Sequence, residues 1–447
     1  MEFPVIAPPR RHRRTSLSSA AALLMFGGIS PAAMAQQYDP FDRLGTLQGS
    51  DNPFGRDRNV GVSERPRPAY NAVPIKAGSL QIMPQLVTKL DLDDNIYALQ
   101  APRSNDEILL FRPRLSIGRP SPNMAWSIAG EYEGTRYLQH SSENTNDYAV
   151  QGSARYTIRR DTILDLRLLQ SRDSEERASP DSLTGIVRPN QFYRSEAFGE
   201  LSHSFNRLRL RGTLDYERRN YLDNRDAAGN EIDQDFRDHS TLTGSMIVEY
   251  GLSPSFAVFT AASANSRNYR TRIGPVPARD SSGYELALGA NFDVGHLMRG
   301  SLRLGYLEQD YKDPLFNDVN GLLVRGELAY FVTPLVTLTA KIDRNVSETG
   351  VIEAAGYVRT AASFRADYEL LRNLILRAEV GNEHRNFVGA DRRDNRFTGD
   401  LSATYLVSPR WSLQMSLNHR GQNSSGLLSG RDFSENRLSI GAVLKGL

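Results

Sequence analysis

The chain contains no cysteine, and lysine occurs only at Lys76, Lys89, Lys312, Lys341 and Lys445. The missing disulfides exclude a small stapled scaffold, so stability must come from a sizeable core or from closure of a sheet. Long apolar runs are equally scarce. Beyond residue 29 nothing approaches the roughly 20 residues of a membrane-crossing helix, so any insertion into a bilayer must use strands. A formal net charge of +2 over 447 residues offers no general attraction to nucleic acid. There is no G-x-S-x-G elbow, P-loop or HExxH, and His140, His203, His239, His296, His384 and His419 show no metal-ligand spacing. The chain therefore reads as no enzyme, with no metal and no cofactor.

What is present begins with a targeting signal. Arg10, Arg11, Arg13 and Arg14 precede an apolar run over 17–29, and Pro31-Ala-Ala-Met-Ala35 offers an Ala-x-Ala cleavage site. Residues 1–35 are thus expected to be a secretory signal peptide. Residues 36–78 are rich in Pro, Gly, Asp, Asn and Arg, as in Asp51-Asn-Pro-Phe-Gly-Arg56 and Glu64-Arg-Pro-Arg-Pro68. They read as a solvated periplasmic extension, with a plug inside a barrel as the alternative.

From Ser79 to the end the chain alternates with a period of two. A turn recurs at Tyr250-Gly-Leu-Ser-Pro254, Tyr330-Phe-Val-Thr-Pro334 and Tyr405-Leu-Val-Ser-Pro409, with weaker relatives after Tyr156 and Tyr368. Leu242, Gly244, Met246, Val248 and Tyr250 share one parity and Thr241, Thr243, Ser245 and Glu249 the other, with Ile247 the exception. Such alternation around a Ser/Thr-Pro turn predicts a β-hairpin, repeated about every 40 residues. Connections alternate between short turns, such as 159–161, 251–254 and 371–373, and long polar loops, such as 171–190, 220–238, 269–282 and 421–434. This asymmetry predicts an all-β fold, a membrane-spanning antiparallel up-and-down β-barrel over 79–447, with about 18 strands, or 16, short periplasmic turns and long extracellular loops. An even count leaves both termini in the periplasm of a Gram-negative envelope. Tyr156, Tyr250, Tyr330, Tyr368 and Tyr405 are expected to form the periplasmic aromatic girdle.

If the apolar parity meets lipid, the other parity lines the interior. Arg209, Arg211, Asp215 and Glu217, then Arg365, Asp367 and Glu369, then Arg377 and Glu379 fall there and are the expected pore-lining residues. Mixed signs fit a wet, electrostatically balanced lumen and equally a narrower one cross-linked by salt bridges. The acidic groups Asp91, Asp93 and Asp94, or Asp391 and Asp394, lack calcium-loop spacing and read as solvated. Because positive charge is nearly all arginine, carboxylate and phosphate groups such as those of lipopolysaccharide are suitable partners, although a GC-rich genome favours the same codons.

Glu64-Arg-Pro-Arg-Pro68, Leu90-Asp-Leu-Asp-Asp-Asn-Ile-Tyr97 and the Tyr-x-x-Ser/Thr-Pro turns resemble the putative β-barrel porin 2 family of bacterial outer membranes. The resemblance covers nearly the whole mature chain and implies an outer-membrane barrel; some members lie in exopolysaccharide or capsule gene clusters. It carries over no catalytic or ligand residues. The last strand ends Gly441-Ala-Val-Leu-Lys-Gly-Leu447 without a terminal aromatic residue, which implies a weaker signal for the barrel assembly machinery. The expected function is a passive pore for saccharides or polysaccharide export. The alternative is a closed barrel that partners an envelope exopolysaccharide machine, with outer-membrane lipid, lipopolysaccharide and export components as partners.

Overall fold

The structure, a computed structural model, describes residues 60–446 apart from 183–184, 271–277, 296, 348 and 352–353. The expected signal peptide and residues 36–59 lie outside the described residues. The first half of the sheet consists of β1 (Leu80–Asp93), β2 (Asp106–Arg119), β3 (Met124–Tyr137), β4 (Thr145–Arg159), β5 (Thr162–Ser174), β6 (Gln191–Phe205), β7 (Leu208–Tyr221), β8 (His239–Ser253) and β9 (Phe256–Tyr269). The second half consists of β10 (Ser281–Val294), β11 (Met298–Tyr311), β12 (Val319–Thr333), β13 (Val336–Ser347), β14 (Gly356–Leu371), β15 (Leu374–Val388), β16 (Arg393–Leu406), β17 (Trp411–Ser425) and β18 (Phe433–Lys445). Each strand pairs antiparallel with the next, and β1 pairs with both β2 and β18, through Asp93↔Arg437 to Gln85↔Lys445. The result is a closed 18-stranded barrel, which leaves no sheet edge. No helix among the described residues is long and apolar enough to cross a membrane.

Alternation decides which side chain faces out. On β10, Leu286 and Leu288 are 54% and 68% exposed, whereas Ala287 between them is 8% exposed. A soluble protein would not leave a continuous belt of Leu, Val, Phe and Tyr in water; on a barrel this belt meets lipid. The five tyrosines all lie on this outer face near the short-turn end, each between apolar neighbours, as Tyr250 is between Leu208 and Val258. The strands are 12 to 16 residues long, more than the roughly 9–11 needed to cross a bilayer. They run past the apolar belt toward the long loops, and there the outer face turns polar, as at Gln170 and Arg172 of β5. The expected loops 171–190 and 421–434 therefore begin later, after Ser174 and Ser425.

Ile247, out of pattern in the sequence, faces inward. It packs with Phe259, Ala261, Ala287, Leu307 and Leu323 in an apolar cluster on the inner wall from β8 to β12. Gly289 makes room for this cluster. A Cβ there would fall on the Phe259 ring and 2.6 Å from the Leu302 carbonyl oxygen.

The segregation of faces generates a test. Leu288→Arg, in the middle of the outer belt, is expected to cost about 2–4 kcal/mol of folding free energy in a bilayer. Urea-dependent unfolding from liposomes measures it, and an unchanged midpoint would mean that this face does not meet lipid.

Candidate functional site

The nine residues expected to line the lumen share the inward parity but form two arrays. Arg209, Arg211, Asp215 and Glu217 lie on β7, where Glu217 pairs with Arg219 at 2.9 Å. Arg365, Asp367 and Glu369 on β14 adjoin Arg377 and Glu379 on β15. Asp367 is completely buried, accepts a hydrogen bond from Arg377 Nε at 2.8 Å and lies 3.2 Å from Arg365 Nε as an ion pair, while Glu379 stands opposite Arg365 in register. The residues of β14 and β15 meet across adjoining strands, whereas the four of β7 are strung along one strand, and the two arrays stand on distant walls.

At the short-turn end, the described part of the N-terminal segment is a strap rather than the expected solvated linker. Residues 75–77 pair with the start of β1, and the chain before them reaches the wall formed by β11 to β14. The Val62 amide donates to Thr337 Oγ1 at 3.0 Å, and Val62 is fully buried. Glu64 accepts from Arg299 at 2.8 Å, and Arg65 and Arg67 reach Glu369 at 3.0 and 2.9 Å. Arg65 also donates to the Pro334 carbonyl in the turn after β12. Apolar residues are sparse in this segment, so nothing in its hydrophobicity announced docking. The charges of Glu64-Arg-Pro-Arg-Pro68 make the attachment.

At the long-loop end, residues 175–182 fold into the barrel and make a lid. They leave β5, and Asp181 accepts the Gly350 amide at 2.7 Å and the Thr349 hydroxyl at 2.9 Å, in the loop between β13 and β14. That loop lies nearly opposite in the ring of strands, so the lid spans the mouth. Along the way Arg177 forks onto Glu143 at 2.8 and 2.7 Å. Glu176 takes Arg420 at 2.8 Å, and Arg420 is held in turn by both oxygens of Glu435 at 3.0 Å. Arg396 donates to the Ala178 carbonyl, and Arg431 to those of Arg177 and Ser182. Ala178 seats against Ala98 and Phe433.

The base of the lid rests on a buried ion pair. Arg237 binds both oxygens of Glu175 at 3.2 and 2.9 Å, and its guanidinium lies 4.0 Å from the centre of the Tyr221 ring. Burial disfavours the charge on Glu175, but Arg237 together with hydrogen bonds from Asn190 and Ser179 more than offsets it and holds the carboxyl below its ordinary value. Glu176 is likewise held low, burial being outweighed mainly by Arg420. Asp181 goes the other way: burial pushes its carboxyl up despite Arg237. None of these groups stood out in the sequence. The available signals were the charged run Glu175-Glu176-Arg177 in a long loop and the inward parity of Arg396 and Arg420.

The rim acids correct a second expectation. Asp91, Asp93 and Asp394 are buried rather than solvated, and are bound by Lys89 at 3.0 Å, Arg437 at 2.8 Å and Arg392 at 2.6 Å respectively. Among the described residues His140 makes a carboxylate contact, to Asp106 at 2.8 Å. Asp106 also accepts the amides of residues 138–140, which makes it an anchor for that loop. Asp223, Asp233 and Asp235 cluster on an exposed loop, where Asp223 accepts the Gln234 amide and Asp233 the Asp235 amide, as turn ties.

Among solved structures the chain is similar to OpdL of Pseudomonas aeruginosa, at 13% identity and a TM-score of 0.44, over 83% of this chain and 99% of that one. It is similar to OccK2 (OpdF) of the same organism, at 12% identity and a TM-score of 0.45, over 81% and 98%. The siderophore receptor PirA from Pseudomonas aeruginosa aligns at 10% identity and a TM-score of 0.43, over 84% and 81%. No curated protein matches. The family model described as "Putative beta-barrel porin 2" matches residues 67–446, the whole barrel together with the end of the strap, and the chain belongs to that porin-like outer-membrane family.

Proposed function

We propose that the protein is a passive, narrow pore for small hydrophilic solutes such as saccharides, gated by the lid at its outer mouth. The observation that carries this reading is the inward fold of residues 175–182, latched to a nearly opposite wall by Asp181 and by arginines on β16 and β17. A barrel of 18 strands is wide enough for an aqueous channel unless something fills it. A latched loop narrows such a channel without sealing it by a packed core. The same latch argues against free passage of a polymer, so polysaccharide export would require the lid to leave. In this reading the barrel assembly machinery inserts the chain, the long loops face the exterior, both termini lie in the periplasm, and the five tyrosines form the inner aromatic girdle. Arg209, Arg211, Asp215, Glu217, Arg365, Asp367, Glu369, Arg377 and Glu379 would set ion selectivity from the two walls.

A second reading has its own support. Ion pairs cross both mouths, from the lid and from the strap at Glu64, Arg65 and Arg67, which favours a closed barrel serving as a partner within an envelope polysaccharide machine. Conductance separates the two.

The protein from Gln36 onward, refolded into a planar bilayer, is expected to give small discrete conductance steps. Replacing residues 177–182 by glycines should enlarge them by about twofold or more. Silence from both proteins would discard the pore and favour the closed scaffold. Acidity should act on the same lid. Glu175 and Glu176 are held below their ordinary values, so their latches are complete at neutral pH and are lost as pH falls through those depressed values. If these two latches set the gate, conductance should hold steady down to about pH 5 and rise below about pH 4. A rise already complete above about pH 5 would instead assign the gate to the Asp181 latch, whose carboxyl burial pushes up.

Arg237→Met leaves Glu175 buried without its cation and is expected to cost about 3–5 kcal/mol locally. Limited proteolysis should then cut within 175–190 while the barrel stays folded; equal protection in both proteins would show that this pair does not hold the lid. Orientation has a separate test, because the chain has no cysteine. A single Ala227→Cys, on an exposed loop residue, should react with an impermeant thiol reagent on whole cells. Labelling only after the envelope is broken would reverse the orientation.

A further inference from the structure

Just beyond the apolar belt, the outer wall carries a groove of about 410 Å³ lined by Asp318, Asn320, Arg344, Thr360, His384 and Asn386, with three valines at its edge. It exists because the sheet parts. The ladder between β12 and β13 ends at Val324↔Arg344, so residues 319–323 and 345–347 run on without pairing to each other. Val346 and Val358 pack with Tyr311, Phe316, Val319 and Ala355, which gives the groove an apolar backing rather than an opening into the lumen.

The polar residues form rows across neighbouring strands on the lipid-side parity. Arg344, Thr360 and His384 stand side by side on β13, β14 and β15, and Arg344 Nη1 donates to Thr360 Oγ1 at 2.8 Å. One row further out, Asn386 lies directly opposite Arg393. Among the described residues neither Arg344 nor Arg393 has a carboxylate partner. The contrast with the inner face is sharp: Arg359, next to Thr360 but facing inward, binds both Asp343 and Glu383. Outward arginine at bilayer depth would cost about 2–4 kcal/mol, so this zone of the wall stands among headgroups. Directly beneath it the same strands expose Ile342, Phe364 and Val380.

We infer that this groove binds the phosphorylated saccharide headgroup of an outer-leaflet glycolipid, whose acyl chains run down the wall below. A guanidinium fork with no carboxylate counter-ion among the described residues matches a phosphate. The mixed donors and acceptors of Asn320, Asn386, Thr360, His384 and Asp318 match the hydroxyls, ring oxygens and amides of a saccharide headgroup, whereas a glycerol headgroup offers two hydroxyls alone. The volume is within the range of small-ligand sites, about 300–1,000 Å³. The inference rests on the outward orientation of the long loops proposed above and not on the pore being open. The whole-cell labelling test examines that orientation alone, so the two can fail separately.

The test is native mass spectrometry of the mature protein in neutral detergent, titrated with purified bisphosphorylated lipid A, with phosphatidylglycerol or with inorganic phosphate. The Arg344→Gln/His384→Gln double variant should bind lipid A about tenfold or more weakly, while Arg218→Gln, on the outer face of β7, should bind as the unaltered protein does. The heat-modifiable shift in gel mobility confirms that each variant is folded. Arg344→Lys, which keeps the charge and loses the fork, should fall between. Equal binding by the folded double variant would overturn the assignment. So would phosphatidylglycerol bound as tightly as lipid A, or displacement of lipid A by millimolar inorganic phosphate, which would mark a free-anion site.

Discussion

Everything in this molecule depends on closing the sheet. In a bilayer an unpaired backbone amide or carbonyl has no water to turn to, so the strands must pair all the way round. The pairing of β1 with β18 accomplishes that, and with closure every residue of every strand is assigned to one of two environments. The outer one accepts apolar side chains. The inner one must then take the charges, and it must take both signs, because an unbalanced set at close quarters would repel itself. The checkerboard of Arg365, Asp367, Arg377 and Glu379 follows from closure as directly as the belt of leucines does.

Inner walls lined with fixed charges are also good anchorage. A loop or a terminal segment that enters such a barrel need not bring a hydrophobic core with it; it needs only the complementary ion and a few carbonyl oxygens. Both inserted segments work this way. The strap attaches through Glu64, Arg65 and Arg67, and the lid through Glu176 and the carbonyls offered to Arg396 and Arg431. Attachments of this kind respond to pH and can be released one charge at a time, whereas a packed apolar plug would leave only by unfolding.

This also explains which parts of the fold could be read in the sequence. Period two and the Tyr-x-x-Ser/Thr-Pro turns exposed the strands because lipid enforces one apolar face over the crossing distance. Beyond that distance both faces are polar, the alternation fades, and so β5 and β17 were read as ending early. Ile247 broke the pattern because an apolar inner cluster has the same composition as an outer belt; only the register against Phe259 and Ala287 distinguishes them. Asp93 looked solvated because its partner, Arg437, comes from another strand, and Asp394 because its partner, Arg392, two positions earlier, lies in the loop where the alternation has already faded. Lid contacts join residues far apart in the chain, as Arg237 with Glu175 and Asp181 with Gly350, and no local spacing encodes them.

The extra length of the strands, past what the membrane requires, serves two faces at once. Inside, it raises Arg396, Arg420 and Asp394 to the height of the lid and gives the inserted loop a rigid wall to hold. Outside, the same rows carry Arg344, His384 and Arg393 into the headgroup zone, where lipid no longer penalises charge and carboxylate partners on the protein are not required. The two sets meet on β16, where Arg393 faces out and Asp394 and Arg396 face in, so that strand cannot shift by one position without exchanging their roles. A register slip in this region would turn lid anchors toward lipid and headgroup contacts toward the lumen. The ends of these strands are therefore constrained by both faces, even where hydrophobicity no longer dictates the register.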